Sequence, residues 1–250
     1  MALMLEPAVR TEVGRRPNNE DAVFATRRLA AIADGVGGAT AGEVASQTVI
    51  GVLQALEKSR LAGRIEDALA QAVALGNERI GFVAGCRPQL AGMSTTLTAV
   101  ALGDGYAIAN VGDSRTYLLR DGALTRLTRD DSVVQQLIDA GVLTEAEARR
   151  HPQRSVVLAA LDGAPRDLAA VVTHPARAGD RLLLCSDGLS DVLADDALHA
   201  LLAGERDRRT CAARLVDEAL AAGARDNVTV VVADVVERAG APPLWPPVVP

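Results

Sequence analysis

Aromatic side chains are nearly absent: two Phe, two Tyr and one Trp stand in 250 residues, 2% of the chain. So few rings exclude the stacking platforms that hold single-stranded nucleic acid. Positive charge is in deficit as well. Twenty-six Lys and Arg oppose 32 Asp and Glu, a net charge of −6, whereas a phosphate backbone calls for a basic surface. Lys58 is the sole lysine, far downstream of the glycine run at Gly37-Gly38, so no P-loop is formed there. The three cysteines, Cys86, Cys185 and Cys211, are widely spaced and make no C-x-x-C pair. They read as small buried apolar residues in a reducing compartment, not as a disulfide frame or zinc site. No apolar run approaches the roughly 20 residues needed to span a bilayer, and the Met1–Glu6 start lacks the basic lead-in of a signal peptide. The expectation is a cytoplasmic protein with neither nucleic acid nor membrane among its partners.

What is present is ordinary globular material. Hydrophobic content is 49% and charged content 23%, enough for one large domain with a core of Ala, Val and Leu. Period-2 and apolar runs predict strands within residues 2–13, over 22–25 and over 29–33. Val44 to Leu56 and Ile65 to Ile80 repeat at helical spacing on either side of Gly63, which suggests two helices laid side by side on a sheet. Strands are expected again at 95–102, 106–111, 116–119 and 124–127. Short Asp/Gly turns join them, Gly112-Asp113-Ser114 among them, so they read as an antiparallel meander. Residues 131–163 read as an insertion beside the sheet, with a capped helix start at Thr144-Glu145-Ala146-Glu147. Strands follow at 168–173, 181–185 and 228–236, with helices around Leu198–Leu202 and Cys211–Leu220. The domain is placed at residues 1–236, and the proline-rich residues 237–250 read as an extended or disordered tail.

Carboxylates recur at the strand ends. Asp34 closes the run Leu29–Ala33 and opens Gly35-Val36-Gly37-Gly38. Asp187 follows Arg181–Cys185, Asp226 precedes the last strand, and Glu20-Asp21 precede Ala22–Ala25. Singly, each is most simply a turn. If the strands are neighbours, the acids meet at one rim of the sheet. They then repel one another unless a cation is bound, and an all-oxygen set suits Mg²⁺ or Mn²⁺ better than Zn²⁺.

Five segments decide between those readings. Arg16-Pro17-Asn18-Asn19-Glu20-Asp21, Ala33-Asp34-Gly35-Val36-Gly37-Gly38, Gly112-Asp113-Ser114-Arg115, Ser186-Asp187-Gly188 and Asp226-Asn227-Val228-Thr229 stand in the order seen in the metal-dependent protein phosphatases of type 2C. His151-Pro152 and Gly92-Met93-Ser94-Thr95-Thr96 resemble the bacterial branch. The resemblance runs from about residue 8 to 235 and implies an α+β fold, a four-layer α-β-β-α sandwich of two antiparallel sheets flanked by helix pairs, with residues 131–163 as a flap. It further implies that Asp34 bridges two Mg²⁺ or Mn²⁺ ions and that the Gly35 carbonyl serves the second. Asp187 and Asp226 complete the first, and Glu20 and Asp21 act partly through waters. Asp113 with Asp187 would hold a weaker third ion, and Arg16 would grip the substrate phosphate. Two cations ~3.5–4 Å apart can acidify and aim a shared water for in-line attack on phosphorus.

The implied activity is hydrolysis of phosphoserine and phosphothreonine in proteins, by a monomer acting opposite a Ser/Thr kinase and its substrates. The alternatives are a catalytically silent phosphoprotein-binding regulator and a small-molecule phosphohydrolase. Departures from the family pattern are Asp130-Asp131-Ser132 in place of Asp-His-Ser, Ser94 in place of Gly, and a first loop one residue short between Gly14 and Arg16.

Overall fold

The computed structural model describes residues 2–37, 40–58, 64–165 and 171–238. The expected helix break at Gly63, Gly38, the start of the 168–173 strand and the tail beyond Arg238 lie outside the described residues. The chain opens with β1 (Ala2–Glu12), β2 (Ala22–Ala25), β3 (Leu29–Ala33) and the two-residue β4 (Gly35–Val36), followed by helices α1 (Thr40–Lys58) and α2 (Ile65–Cys86). Strands β5 (Ser94–Thr95), β6 (Leu97–Leu102), β7 (Gly105–Val111), β8 (Arg115–Arg120) and β9 (Ala123–Arg126) come next. The insertion carries α3 (Val133–Asp139) and α4 (Glu145–Ala148). After it stand β10 (Val172–Pro175), β11 (Arg181–Cys185), α5 (Asp187–Ser190), α6 (Asp195–Gly204), α7 (Arg208–Ala221) and β12 (Val228–Arg238).

Two antiparallel five-stranded sheets result, ordered β1-β12-β11-β8-β9 and β10-β7-β6-β3-β2. Their inner faces meet in one apolar layer that includes Leu5, Ile32, Ile108, Leu184 and Val231. Alternate residues of the same strands turn outward. In β3, Leu29, Ala31 and Ala33 pack under α1 and α2, while in β12 Val228, Val230 and Val232 pack under α6 and α7. Strands covered on both faces need apolar residues at every position, which accounts for runs such as Leu182-Leu183-Leu184. Tyr106 is buried in this inner layer, its hydroxyl donating to Asp180 Oδ2 at 2.6 Å, and Tyr117 is buried with Leu198 and Leu202 in the outer cluster, whereas Phe82 is exposed.

The expected meander is corrected. β6 pairs with β7 and β8 with β9, but Gly112-Asp113-Ser114 carries the chain from one sheet to the other. Gly112 takes φ +99, and a Cβ there would stand 2.7 Å from the Thr96 methyl, so the crossover is too tight for any side chain. The 95–102 strand is also interrupted. Ser94-Thr95 peel off to pair with β4, and Thr96 N donates to Asp34 O at 2.8 Å. Cys185 and Cys211 are buried as expected, whereas Cys86, the last residue of α2, is exposed. The Thr144/Glu147 capping box forms as the sequence indicated.

Candidate active site

The acids at the strand ends come from both sheets, so they line the open end of the sandwich and not the rim of one sheet. Asp21 and Asp34 flank β2 and β3 of one sheet; Asp187 and Asp226 flank β11 and β12 of the other; Asp113 sits on the crossover between them. Their fields overlap. Burial, then the charges of Asp21, Asp187, Asp113 and Asp226, hold the Asp34 pKa well above the ordinary carboxylate value. Burial and then Asp113, Asp191, Asp226 and Asp21 do the same to Asp187. Burial first, with Asp130 and Asp191 adding, pushes Asp113 up to about 7. Burial likewise lifts Asp21 to about 6. Glu20 is raised too, by burial with Arg16 opposing. Carboxylates crowded out of water without a counter-charge retain their protons.

Backbone, hydroxyl and guanidinium groups hold Asp34, Asp21 and Asp226. Asp34 N donates to Thr96 Oγ1 at 3.2 Å, and Asp34 O accepts from Thr96 N and Thr95 Oγ1, both at 2.8 Å. Gly35 lies against α1 so closely that a Cβ would stand 2.3 Å from Gly42 O. Gly42 in turn admits Glu20, whose Oε2 is 2.1 Å from where a Gly42 Cβ would be. Ser186 Oγ donates to Asp21 Oδ2 at 3.0 Å. Arg16 Nη2 donates to Asp226 Oδ2 at 2.6 Å, with both side chains partly open to solvent.

Two observations bear on whether this set fits a cation. Asp21 Oδ1 and Asp187 Oδ1 are buried and have no hydrogen-bond partner. Such oxygens are costly unless something positive is bound. The donor set is also entirely oxygen, the chemistry of hard divalent ions. Among the described residues, no group of three or more His, Cys, Asp or Glu is already drawn into a coordination shell. The acids share one locus without having closed on a centre, as mutually repelling carboxylates do.

Residues 14–222 match the profile described as protein phosphatase 2C. This chain belongs to that family. The serine/threonine protein phosphatase PstP of Mycobacterium tuberculosis is 48% identical over 241 residues, which make up 95% of this chain and 46% of PstP. The chain thus spans about half the length of that relative. The serine/threonine phosphatase stp of Listeria monocytogenes is 34% identical over 236 residues, 90% of this chain and 94% of the relative. A crystal structure of the PstP catalytic domain in complex with two manganese ions matches with a TM-score of 0.88 at 45% identity, covering 94% of this chain and 100% of that one.

Within this type 2C site, several participants escaped the sequence reading. Asp191 bears on both Asp113 and Asp187. Its signal was available, since Asp187 and Asp191 are four residues apart on the turn of helix that Asp187 begins. Asp130, forked by Arg115 at 2.6 and 3.0 Å, stands behind Asp113 as a buried ion pair. Asp131 ties the root of the insertion to the crossover: its Oδ2 accepts from Gly112 N at 3.0 Å, and its N donates to Gly112 O at 2.9 Å. Neither link leaves a sequence signal, because each joins segments that only the fold brings together.

Proposed function

We propose that this chain hydrolyses phosphoserine and phosphothreonine in proteins with the help of two Mg²⁺ or Mn²⁺ ions. The observation that carries the reading is one locus of five aspartates, four of them deeply buried and Asp226 at its open edge, gathered from the ends of two sheets and the crossover between them, with two carboxylate oxygens left unpaired. Asp34 would be shared by both ions, with the Gly35 carbonyl on the second and Asp187 and Asp226 on the first. Glu20 and Asp21 would act through waters, and Asp113 with Asp187 would hold a weaker third ion. Bound there, the ions supply positive charge for phosphate oxygens and lower the pKa of water.

The protein's own groups do the rest. Arg16 presents a guanidinium that can grip phosphate oxygens and offset their growing charge. A protein nucleophile is not needed, and Cys185, the nearest thiol to Asp187 in sequence, is buried with its pKa pushed up by burial to about 12. At neutral pH it carries no thiolate to attack with. We assign residues 1–236 to the catalytic domain, with 131–163 as its flap. Opposite it we place a Ser/Thr kinase and that kinase's substrates, with the chain working as a cytoplasmic monomer.

The test is hydrolysis of p-nitrophenyl phosphate and of a phosphothreonine peptide with Mn²⁺, with EDTA and in the Asp34→Asn variant. Turnover of both substrates that needs Mn²⁺ and Asp34 is expected. No Mn²⁺-dependent turnover would leave the silent regulator standing. Turnover of the small ester alone would favour a small-molecule phosphohydrolase.

A further inference from the structure

We infer that Asn227 is a positioning residue that sets the Gly14–Asp21 loop, and through it Arg16, against the acidic locus. The inference rests on the phosphate-gripping role proposed above for Arg16. Asn227 is 4% exposed, and its amide spans the loop. Nδ2 donates to Val13 O and to Asn18 O, each at 2.9 Å, while Oδ1 accepts from Glu20 N at 2.8 Å. Val13 and Asn18 lie on either side of Arg16, so one side chain closes the loop at both ends. An amide alone supplies two donors and an acceptor in one plane at this size. An aliphatic residue would strand three backbone groups, and a carboxylate would face two carbonyl oxygens.

Three further contacts hold the same loop. Gly14, at φ +63, lies so flat on the chain that a Cβ would stand 2.1 Å from Asp226 O. Arg15 N donates to Arg225 O at 3.3 Å. Ser46 Oγ, in α1, donates to Glu20 O at 2.6 Å. The Arg16 side chain itself is 55% exposed, and Asp226 is its ion-pair partner. A half-exposed guanidinium has little packing of its own to fix it, so its place depends on the backbone from which it projects. Among these contacts, the Asn227 side chain is the one that bonds that backbone on both sides of Arg16.

The experiment compares Asn227→Ala and Asn227→Ser with the parent protein, and repeats the comparison in an Arg16→Ala background. Thermal melts establish folding, and hydrogen exchange reads the Glu20 amide. Calorimetry with Mn²⁺ present reads orthophosphate binding and Mn²⁺ stoichiometry, and kinetics read KM for a phosphothreonine peptide. Expected are loss of Glu20 amide protection, unchanged Mn²⁺ stoichiometry, and orthophosphate affinity and KM worsened by roughly 10- to 100-fold, the cost of misplacing a positioning group by about an ångström. In the Arg16→Ala background the same substitutions should add nothing. The inference is overturned if a folded variant keeps its phosphate affinity, or if the loss is as large without Arg16. It is also overturned if neither variant folds, since Asn227 would then be a requirement of the fold. Absence of Mn²⁺-dependent turnover in the parent would sink the phosphatase reading instead, and the exchange and calorimetric arms would still decide the role of Asn227.

Discussion

Ser186 Oγ donates to Asp21 Oδ2 at 3.0 Å and accepts from Thr229 N at the same distance. One neutral hydroxyl thereby joins the end of β11 to the start of β2, across the two sheets. It is placed where carboxylates alone would push the halves apart. Uncharged groups hold two of the acidic residues, Ser186 the Asp21 carboxylate and Thr95 and Thr96 the Asp34 main chain, while Arg16 pairs with Asp226. Without a cation, burial and mutual repulsion favour the protonated forms of Asp21, Asp34, Asp113 and Asp187.

That repulsion has a pH signature. Asp21 and Asp113 titrate near 6 and 7 in the folded protein, against an ordinary value of 3.8. The folded state therefore binds more protons than the unfolded one, and stability falls as pH rises from about 4 through about 7. In EDTA, the melting temperature should be higher at about pH 5 than at about pH 8, by on the order of 5–10 °C. Mn²⁺ added at the higher pH should reverse the loss, because a cation binds the deprotonated forms. A melting temperature that climbs over this range in EDTA would contradict the electrostatic picture.

Asp34→Asn should separate stability from activity. Asp34 carries the repulsion of four neighbouring aspartates, so a neutral amide should raise the stability of the EDTA-treated protein by about 1–3 kcal/mol. Mn²⁺-dependent turnover should fall by a factor of at least roughly 100–1000. Urea titrations with and without Mn²⁺ check the first claim, and initial rates check the second. A variant both less stable in EDTA and fully active would refute the shared-ligand role.

Much of this was legible in the sequence. The strands Ala22–Ala25, Leu29–Ala33 and Arg181–Cys185 fall where the apolar runs place them; the latter two are buried on both faces and leave an unbroken hydrophobic signal, while Ala22–Ala25 is a half-buried edge strand. The capping box at Thr144 was readable for a similar reason, since both partners lie within four residues. The crossover at Gly112 was not readable. An Asp/Gly turn looks the same whether it joins neighbours or changes sheets, and only the packing of Gly112 on Thr96 decides. Asn227 stood in view within a motif, yet its partners Val13, Asn18 and Glu20 lie more than 200 residues away.

Gly35→Ala probes the site through the backbone. The added Cβ would meet Gly42 O at 2.3 Å and Gly42 C at 2.4 Å, both main chain, neither able to yield as a flexible side chain would. The β4 strand must shift against α1, at a cost of about 1–3 kcal/mol, and Mn²⁺ affinity should fall with it. Gly51→Ala is the control: in α1 its Cβ meets nothing within 4 Å, so stability should rise by roughly 0.5–1 kcal/mol. Chemical denaturation of both variants, with Mn²⁺ calorimetry on Gly35→Ala, settles the comparison. Equal effects at the two glycines would remove the packing argument.

Arg149 latches the insertion to the site. Its Nη1 donates to Ser190 O at 2.8 Å and Leu193 O at 3.2 Å, and Nη2 stands 3.5 Å from Asp195 Oδ1. Ser190 ends the turn of helix that Asp187 begins, so a cation here also satisfies carbonyls at that helix's C-terminal end. The side chain is 27% exposed, which moderates the loss expected from removing it to about 1 kcal/mol. Most of that loss should be local. Arg149→Ala should lower the melting temperature by only about 2–4 °C, yet speed protease cleavage within residues 149–158 several-fold, because the latch holds the insertion more than it holds the core. Turnover of p-nitrophenyl phosphate, which has no peptide chain to lay against the insertion, should change less than KM for a phosphothreonine peptide. If cleavage of the insertion does not accelerate, Arg149 is not the latch. If both substrates suffer equally, the contact acts through Asp187 and not through the insertion.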